Sequence, residues 1–459
     1  MLSKELLAYL QTNRRRHLGE LLEILKFPSI SSQSQRNAES LACAEHLAEV
    51  VRKLGFDVKL HPWRTHPILI ARRDCRRPDA PTVLLYGHYD VQPVDPLNLW
   101  DSPPFEPAVR DNSVYARGAS DDKGQMYCQI KAIEALLAVE GDLPVNVVLL
   151  AEGEEEIGSP DVEQFLTANA GLLQAQCALI SDSSFFAPGL PAITYGLRGL
   201  GYLELTVEGP KADLHSGMHG GAVVNPLNGL AKLLAGMHDA QGRVAIEGFY
   251  DDVLPLEERE RQNWRGLPFD EKRYAEELGV ELAGGEKGLD VLVRRWARPT
   301  LECNGIVGGY QGEGSKTVIP AKATAKISMR LVNNQRPEKI VQCFQEHVRK
   351  NTPPGLRASV AVSSMARPVM ISLDSPYMRA AQGALEEAFG TKPALVREGA
   401  SVPITELFQR VLKLEPLLMG FGLPDDGLHS PNEHFHLEQY YGGIVAIAAA
   451  LKNIGQLSR

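Results

Sequence analysis

Short, largely apolar runs without polar alternation, each leading into a histidine or an acid, constrain this chain more than any other feature. "TVLLY" at 82–86 runs into Gly87-His88-Tyr89-Asp90, and "VNVVLL" at 145–150 runs into Glu154, Glu155 and Glu156. "CALIS" at 177–181 runs into Asp182. A strand with one wet face alternates apolar and polar residues, so a continuously apolar strand is covered on both faces. Helical periodicities separate the runs. Residues 37–54 set Leu41, Ala44, Leu47, Ala48, Val51 and Leu54 on one face, and a second helix is predicted from Asp122 to Val139. This alternation predicts an α/β domain, a mostly parallel sheet covered by helices. Ligands of such sheets sit beyond the carboxyl ends of the strands, where these acids and histidines fall. A later strand pattern, "PLLMGFG", leads into a loop carrying His429, and the pair Asp121-Asp122 precedes "KGQMYCQIKAIEALLAV".

Near residue 195 the pattern changes. "GYLELTVEG" and "TAKISMRLV" alternate, and each is followed by a helical stretch, 225–238 and 337–350. Alternating strands with helices on one face predict an α+β sandwich. A charged segment at 247–298, too long for a simple loop, lies between its halves. The first pattern returns near 368 and ends in the helix "QYYGGIVAIAAALKNIG". A chain of 459 residues exceeds one ordinary core. The expected division is a catalytic domain in two parts, 1–194 and 369–459, with a second domain, 195–368, inserted between them.

Lys+Arg 48 against Asp+Glu 57 gives a net charge of −9, which argues against nucleic acid or an anionic membrane as partner. No stretch has the length and apolarity of a membrane span, and the start has no signal-peptide core. The six cysteines are scattered without a CxxC pair, which suits a reducing cytoplasm.

Three adjacent glutamates at a buried strand end repel one another unless cations or solvent absorb the charge. Singly, each candidate has a plain reading: His88 a loop histidine, Asp121 or Asp122 a helix cap, Asp182 a turn residue, His429 an exposed side chain. Together they are two histidines and three or four carboxylates at one sheet edge. That is a ligand set for two divalent ions with one carboxylate bridging.

The motifs "LLYGHYDVQP", "ARGASDDKGQ", "EGEEEIGS", "LISD", "DLHSGMHGG", "GSKTVIPAKATAKISMRLV", "REGASVPIT" and "HSPNEHF" run in order over nearly the whole chain. They resemble the co-catalytic zinc aminoacylase, carboxypeptidase and dipeptidase family, which includes acetylornithine deacetylase and succinyl-diaminopimelate desuccinylase. The match is best to its cytosolic non-specific dipeptidase and carnosinase branch. The resemblance implies two divalent metal ions per subunit, zinc first with manganese or cobalt as alternatives. Asp121 would bridge them. His88 and Asp182 would complete one site, Glu156 and His429 the other. Glu155 would be the general base for a metal-bridged hydroxide, and Asp90 would fix the His88 tautomer. The Asp121–Asp122 peptide is expected to be cis. Glu154 is left as a solvated surplus acid, and His434 and His436 as surface residues.

The same resemblance implies that the inserted domain is a lid and dimerisation domain. Arg330 would hold the substrate carboxylate, with Thr317, Gly399 and Ser401 as further substrate contacts. His215 would reach from one subunit of a homodimer into the other's site. The implied activity is hydrolysis of the peptide bond of dipeptides or short peptides. An N-acyl-amino-acid deacylase would use the same site, and a non-catalytic peptide-binding scaffold would keep only the fold.

Overall fold

The computed structural model describes residues 1–399 and 402–457. It divides into two compact units, one of residues 1–195, 371–396 and 403–459, the other of 196–370 and 397–402. The short piece 397–402 therefore groups with the second unit, whereas the periodicity alone leaves it in the returning α/β region. The backbone amide of Arg198 donates to the Glu398 carbonyl, and its Nε donates to the Gly399 carbonyl at 3.2 Å.

In the first unit the sheet runs in the order Asp57–His61, Ile68–Arg73, Asn146–Glu152, Thr82–His88, Cys177–Ile180, Glu415–Leu418, Ala192–Leu197. The four central strands, Asn146–Glu152 through Glu415–Leu418, are parallel, with antiparallel neighbours on either side. The all-apolar runs are these central strands, and every residue of Thr82–His88 is buried. The helix Lys123–Glu140 has buried residues on nearly every face because it packs between the strand Thr82–His88 and the helices Lys4–Ile24 and Leu437–Gly455. Gly141, at φ 71°, ends it in the left-handed conformation that glycine adopts without penalty. Helix Asn37–Lys53 buries Ala44, Leu47, Ala48 and Val51 as its period predicts. Leu41, expected on that face, is 44% exposed, because the buried stripe runs through Ser40, Cys43, Ala44, Leu47, Ala48 and Val51 and Leu41 falls at its rim.

The second unit is built on a four-stranded antiparallel sheet in the order Thr300–Gly308, Lys322–Leu331, Gly199–Glu208, Arg357–Ala366. The alternation in sequence becomes alternation in burial. Leu203, Leu205, Val207, Ala325, Ile327 and Met329 face inward and pack with Leu230 and Leu233 of helix Pro226–Ala235 and Ile340 and Phe344 of helix Pro337–Asn351. The charged segment 247–298 is not a loop. It contains three short helices, Glu258–Arg265, Glu271–Leu278 and Val291–Ala297, with Trp264 and Trp296 edge to face at 5.1 Å.

Candidate metal centre

Parallel register places the first residues of the site. Tyr86 pairs with Ile180 across neighbouring strands, so His88 and Asp182, two residues further on each, come out level. His88 is fully buried, and its Nε2 lies 3.1 Å from Asp121 Oδ1 and 4.0 Å from Asp182 Oδ2. The other Asp121 oxygen, Oδ2, is 3.0 Å from His429 Nε2, which is 3.4 Å from Glu156 Oε2. His429 sits at φ 60° in the loop before strand His434–His436. Two groups thus form, His88 with Asp121 and Asp182, and Asp121 with Glu156 and His429, the candidate ligand atoms of each within 4.8 Å of one another. They share Asp121, with a histidine on each of its oxygens. Imidazole nitrogens and carboxylate oxygens in this number suit divalent cations.

Around these groups the chain fixes orientation. The His88 Nδ1 is 3.1 Å from the Asp90 carbonyl and 3.4 Å from Asp90 Oδ1, so its proton is held on the far side and Nε2 faces Asp121. The backbone carbonyl, rather than the carboxylate, is the nearer acceptor. The Asp90 carboxylate does a second job: it accepts from the backbone amides of Glu155 (3.2 Å) and Glu156 (3.0 Å), and so ties the acidic turn to the histidine strand. Gln92 Nε2 donates to Glu156 Oε2 at 2.7 Å. The Asp121–Asp122 peptide is cis. Asp122 does not cap its helix with its side chain; Oδ2 accepts from the His88 amide at 3.1 Å.

Electrostatics follow from so many acids in one place. Burial pushes the Glu155 carboxyl up to about 9; His88 opposes this, and Asp182, Asp90 and Glu152 each add a smaller rise. Hydrogen bonds that its ring donates to Asp121 and Glu156 push His429 up to about 10. Burial pushes His88 down, but Asp121 and Asp90 outweigh it and raise it well above the ordinary histidine range.

Glu154 departs from the expectation of a solvated surplus acid. It is 4% exposed, and its Oε1 accepts from the amides of Thr65 (3.0 Å) and His66 (3.1 Å). The tight turn Glu155–Ile157, closed by the Ser159 amide on the Glu154 carbonyl at 2.8 Å, turns this side chain inward. His434 and His436 are likewise half-buried strand residues rather than surface ones.

Glu433 was not singled out from the sequence, although it is the acid of "HSPNEHF". It is fully buried and accepts from Arg117 Nη1 (2.7 Å) and the amides of Gly118 (3.0 Å), Ser120 (3.0 Å) and Asp121 (3.1 Å). It thereby anchors the loop that presents Asp121. Its motif position was the available signal.

In the second unit, His215 pairs in register with Val318, and the Ser216 amide donates to the Thr317 carbonyl at 3.0 Å, so His215 and Thr317 are neighbours. His215 is exposed, and its Nδ1 accepts from the Gly217 amide at 3.0 Å. Arg330 is half-buried on strand Lys322–Leu331. Arg198, which sequence reasoning missed, joins it: burial, then the charges of Arg330 and Arg295, bring Arg198 down to about 10. Its Nη1 is buried without a hydrogen-bond partner among the described residues. Gly399 is bonded to Arg198, and Ser401 lies outside the described residues.

The model of peptidase family M20/M25/M40 matches residues 84–453. The chain belongs to that family. It is 32% identical to the Cys-Gly metallodipeptidase DUG1 of Saccharomyces cerevisiae, over 95% of this chain and 94% of the relative. The human Beta-Ala-His dipeptidase is 34% identical over 83% of this chain and 76% of its own. Among solved structures, the M20 family metallo-carboxypeptidase Sso-CP2 from Sulfolobus solfataricus superposes with a TM-score of 0.86 at 34% identity, covering 96% of this chain and 99% of that one. The family runs through both units and includes every residue of the two ligand groups.

Proposed function

We propose that this protein is a metallodipeptidase that hydrolyses the peptide bond of dipeptides or short peptides with a free carboxylate. The observation that carries the reading is Asp121, shared by two ligand groups with a histidine on each oxygen, beside the half-buried Glu155. The dipeptidases of yeast and human among its relatives support the substrate class. His88, Asp121 and Asp182 would hold one divalent cation, and Asp121, Glu156 and His429 a second. Zinc is the first choice, and manganese or cobalt would be accepted by the same donors. When bound, the cations supply Lewis acidity to the attacking water and to the scissile carbonyl.

The chain's own residues do the rest. Glu155 takes the proton of the attacking water and returns it to the leaving amine. The charge of bound cations would favour its ionised form and so bring the carboxyl down toward neutral pH, where it can first accept and then return a proton. Asp90 keeps the His88 proton on Nδ1 and holds the Glu155–Glu156 turn in place. Arg330 takes the substrate carboxylate, for which a guanidinium is a bidentate partner, and Arg198 adds positive charge beside it. Thr317, Gly399 and Ser401 are further substrate contacts. His215 acts in the other subunit of a homodimer formed through the 195–368 domain. Exposed Met218, Val223, Ile306 and Val307 of that unit support such an interface. A reducing cytoplasm suits the six free cysteines.

The experiment is a panel of dipeptides and N-acetyl amino acids assayed in parallel with zinc, manganese and cobalt. Dipeptide turnover that exceeds N-acetyl amino-acid turnover supports the reading. The reverse preference would make the protein an N-acyl-amino-acid deacylase, and no turnover with any metal would leave a scaffold.

A further inference from the structure

Beyond the two groups that share Asp121, the chain assembles another set of metal-type donors. Asp425, His434 and His436 each place a candidate ligand atom within 4.8 Å of the other two. His434 and His436 project from the short strand His434–His436, which pairs with Ser113–Tyr115. His434 is stacked on Tyr115 with ring centroids 4.7 Å apart, so its ring direction is set by packing.

Both rings have a polar partner at Nδ1. His434 Nδ1 is 3.2 Å from the Asn432 carbonyl, which can only accept, so the proton sits there and Nε2 carries a lone pair. His436 Nδ1 is 3.3 Å from Ser113 Oγ. That hydroxyl donates to the Asp111 carbonyl at 3.4 Å, which leaves its oxygen to accept from His436 Nδ1–H. His436 Nε2 is therefore a lone pair too. It is buried and has no hydrogen-bond partner among the described residues.

What it faces is another acceptor. Asp426 is fully buried, and its Oδ2 is engaged by Ser120 Oγ at 2.6 Å and the Leu423 amide at 2.9 Å. Its Oδ1 has no partner among the described residues and lies 3.8 Å from His436 Nε2. Asp425 Oδ2 is 3.9 Å from the same nitrogen. Both separations are too long for a hydrogen bond. Lone pairs of two imidazoles and a carboxylate converge, backed by a buried carboxylate oxygen with nothing to accept from. Such an arrangement is unfavourable unless a cation neutralises it.

We infer that Asp425, His434 and His436, with Asp426 behind them, form a separate binding site for a divalent cation of the zinc type. Two imidazole nitrogens and a carboxylate match the donors that zinc takes, with room for a further ligand. The site lies at the neck of the 426–434 loop, which the His434 amide already closes on the Asp426 carbonyl at 2.9 Å. A cation there would clamp the loop that carries His429.

The test is a metal count on the full-length protein, stripped with chelator and equilibrated with buffered zinc. Wild type should take up one more equivalent than the double variant His434→Gln/His436→Gln. Zinc should also slow amide exchange across 426–434 more in wild type than in that variant, which keeps only the contribution of the group containing His429. The comparison is a difference, so it stands whether or not the groups sharing Asp121 fill. Should the double variant misfold by circular dichroism, Asp425→Asn decides, since Asp425 is exposed; it should weaken the additional site at least about tenfold, as loss of a ligand does. Equal zinc content in wild type and the folded variants, with the same zinc effect on the loop, would overturn the inference.

Discussion

Replacing Glu433 with alanine should loosen the loop that presents Asp121 without removing any candidate ligand atom. Glu433 is fully buried, and its partner Arg117 is 1% exposed, so the substitution leaves a guanidinium charge in the interior. Breaking a buried ion pair in this way costs about 3–5 kcal/mol. The amides of Gly118, Ser120 and Asp121 also lose their acceptor, and each bond to a charged group is worth about 1.5–3 kcal/mol, though the four losses overlap and do not add. Taking the ion-pair figure as the floor, the opening equilibrium of this loop should rise at least about 100-fold. Because the chain has two units, a single unfolding free energy is a poor measure. Amide exchange of peptides covering 117–122 reads the opening directly. Metal affinity should fall in step, since Asp121 serves both ligand groups. The pair Arg117→Met/Glu433→Gln should be milder than Glu433→Ala, because it leaves no lone charge. Exchange within about threefold of wild type in a folded Glu433→Ala protein would refute the anchoring argument.

Glu155→Gln should retain its metals and bind substrate yet lose about 10²–10⁴-fold in kcat, the contribution of a general base; near-normal turnover would move that role elsewhere. Asp121→Ala should be inactive and hold fewer than two metal equivalents by elemental analysis, whereas undiminished metal content would deny it the shared position. Mixing inactive His215→Ala and Glu155→Gln subunits should restore roughly a quarter of wild-type activity, because half the dimers carry one complete site; proven exchange without recovery would rule out a site completed by the partner. Glu134 supplies a pH test. Burial raises its carboxyl, but hydrogen bonds from His17, Arg16 and Lys131 outweigh that and hold it well below its ordinary value of 4.5. Its folded value is the lower one, so the stabilisation is present above about pH 4.5 and lost as pH falls below it. The melting-temperature gap between wild type and Glu134→Gln should therefore narrow below about pH 4 in calorimetry, and a gap that widens there would contradict the assignment.

The sequence by itself determined the fold class and the positions of the candidate ligands. Burial on both faces forces a strand to be apolar throughout, so "TVLLY", "VNVVLL" and "CALIS" announce a covered parallel sheet. His88, the glutamates and Asp182 announce its ligand edge because polar residues after such runs have nowhere else to go. Alternation in "GYLELTVEG" likewise carried the one-sided sheet of the second unit. Tertiary structure decided what periodicity cannot encode. Whether Glu154 meets water or the amides of Thr65 and His66 depends on how one turn folds back onto a segment about ninety residues earlier. Leu41 lies at the rim of its helix's apolar face, outside the stripe that the core covers. Arg198 and Arg330 come together because antiparallel register sets their strands side by side, Arg330 opposite Leu200. Glu433 and Arg117 find each other across more than three hundred residues, and the two carboxylate oxygens facing His436 Nε2 converge on it only once the 426–434 loop is closed. Local sequence records how a residue sits on its own element. Which distant group it meets is set by where the elements pack.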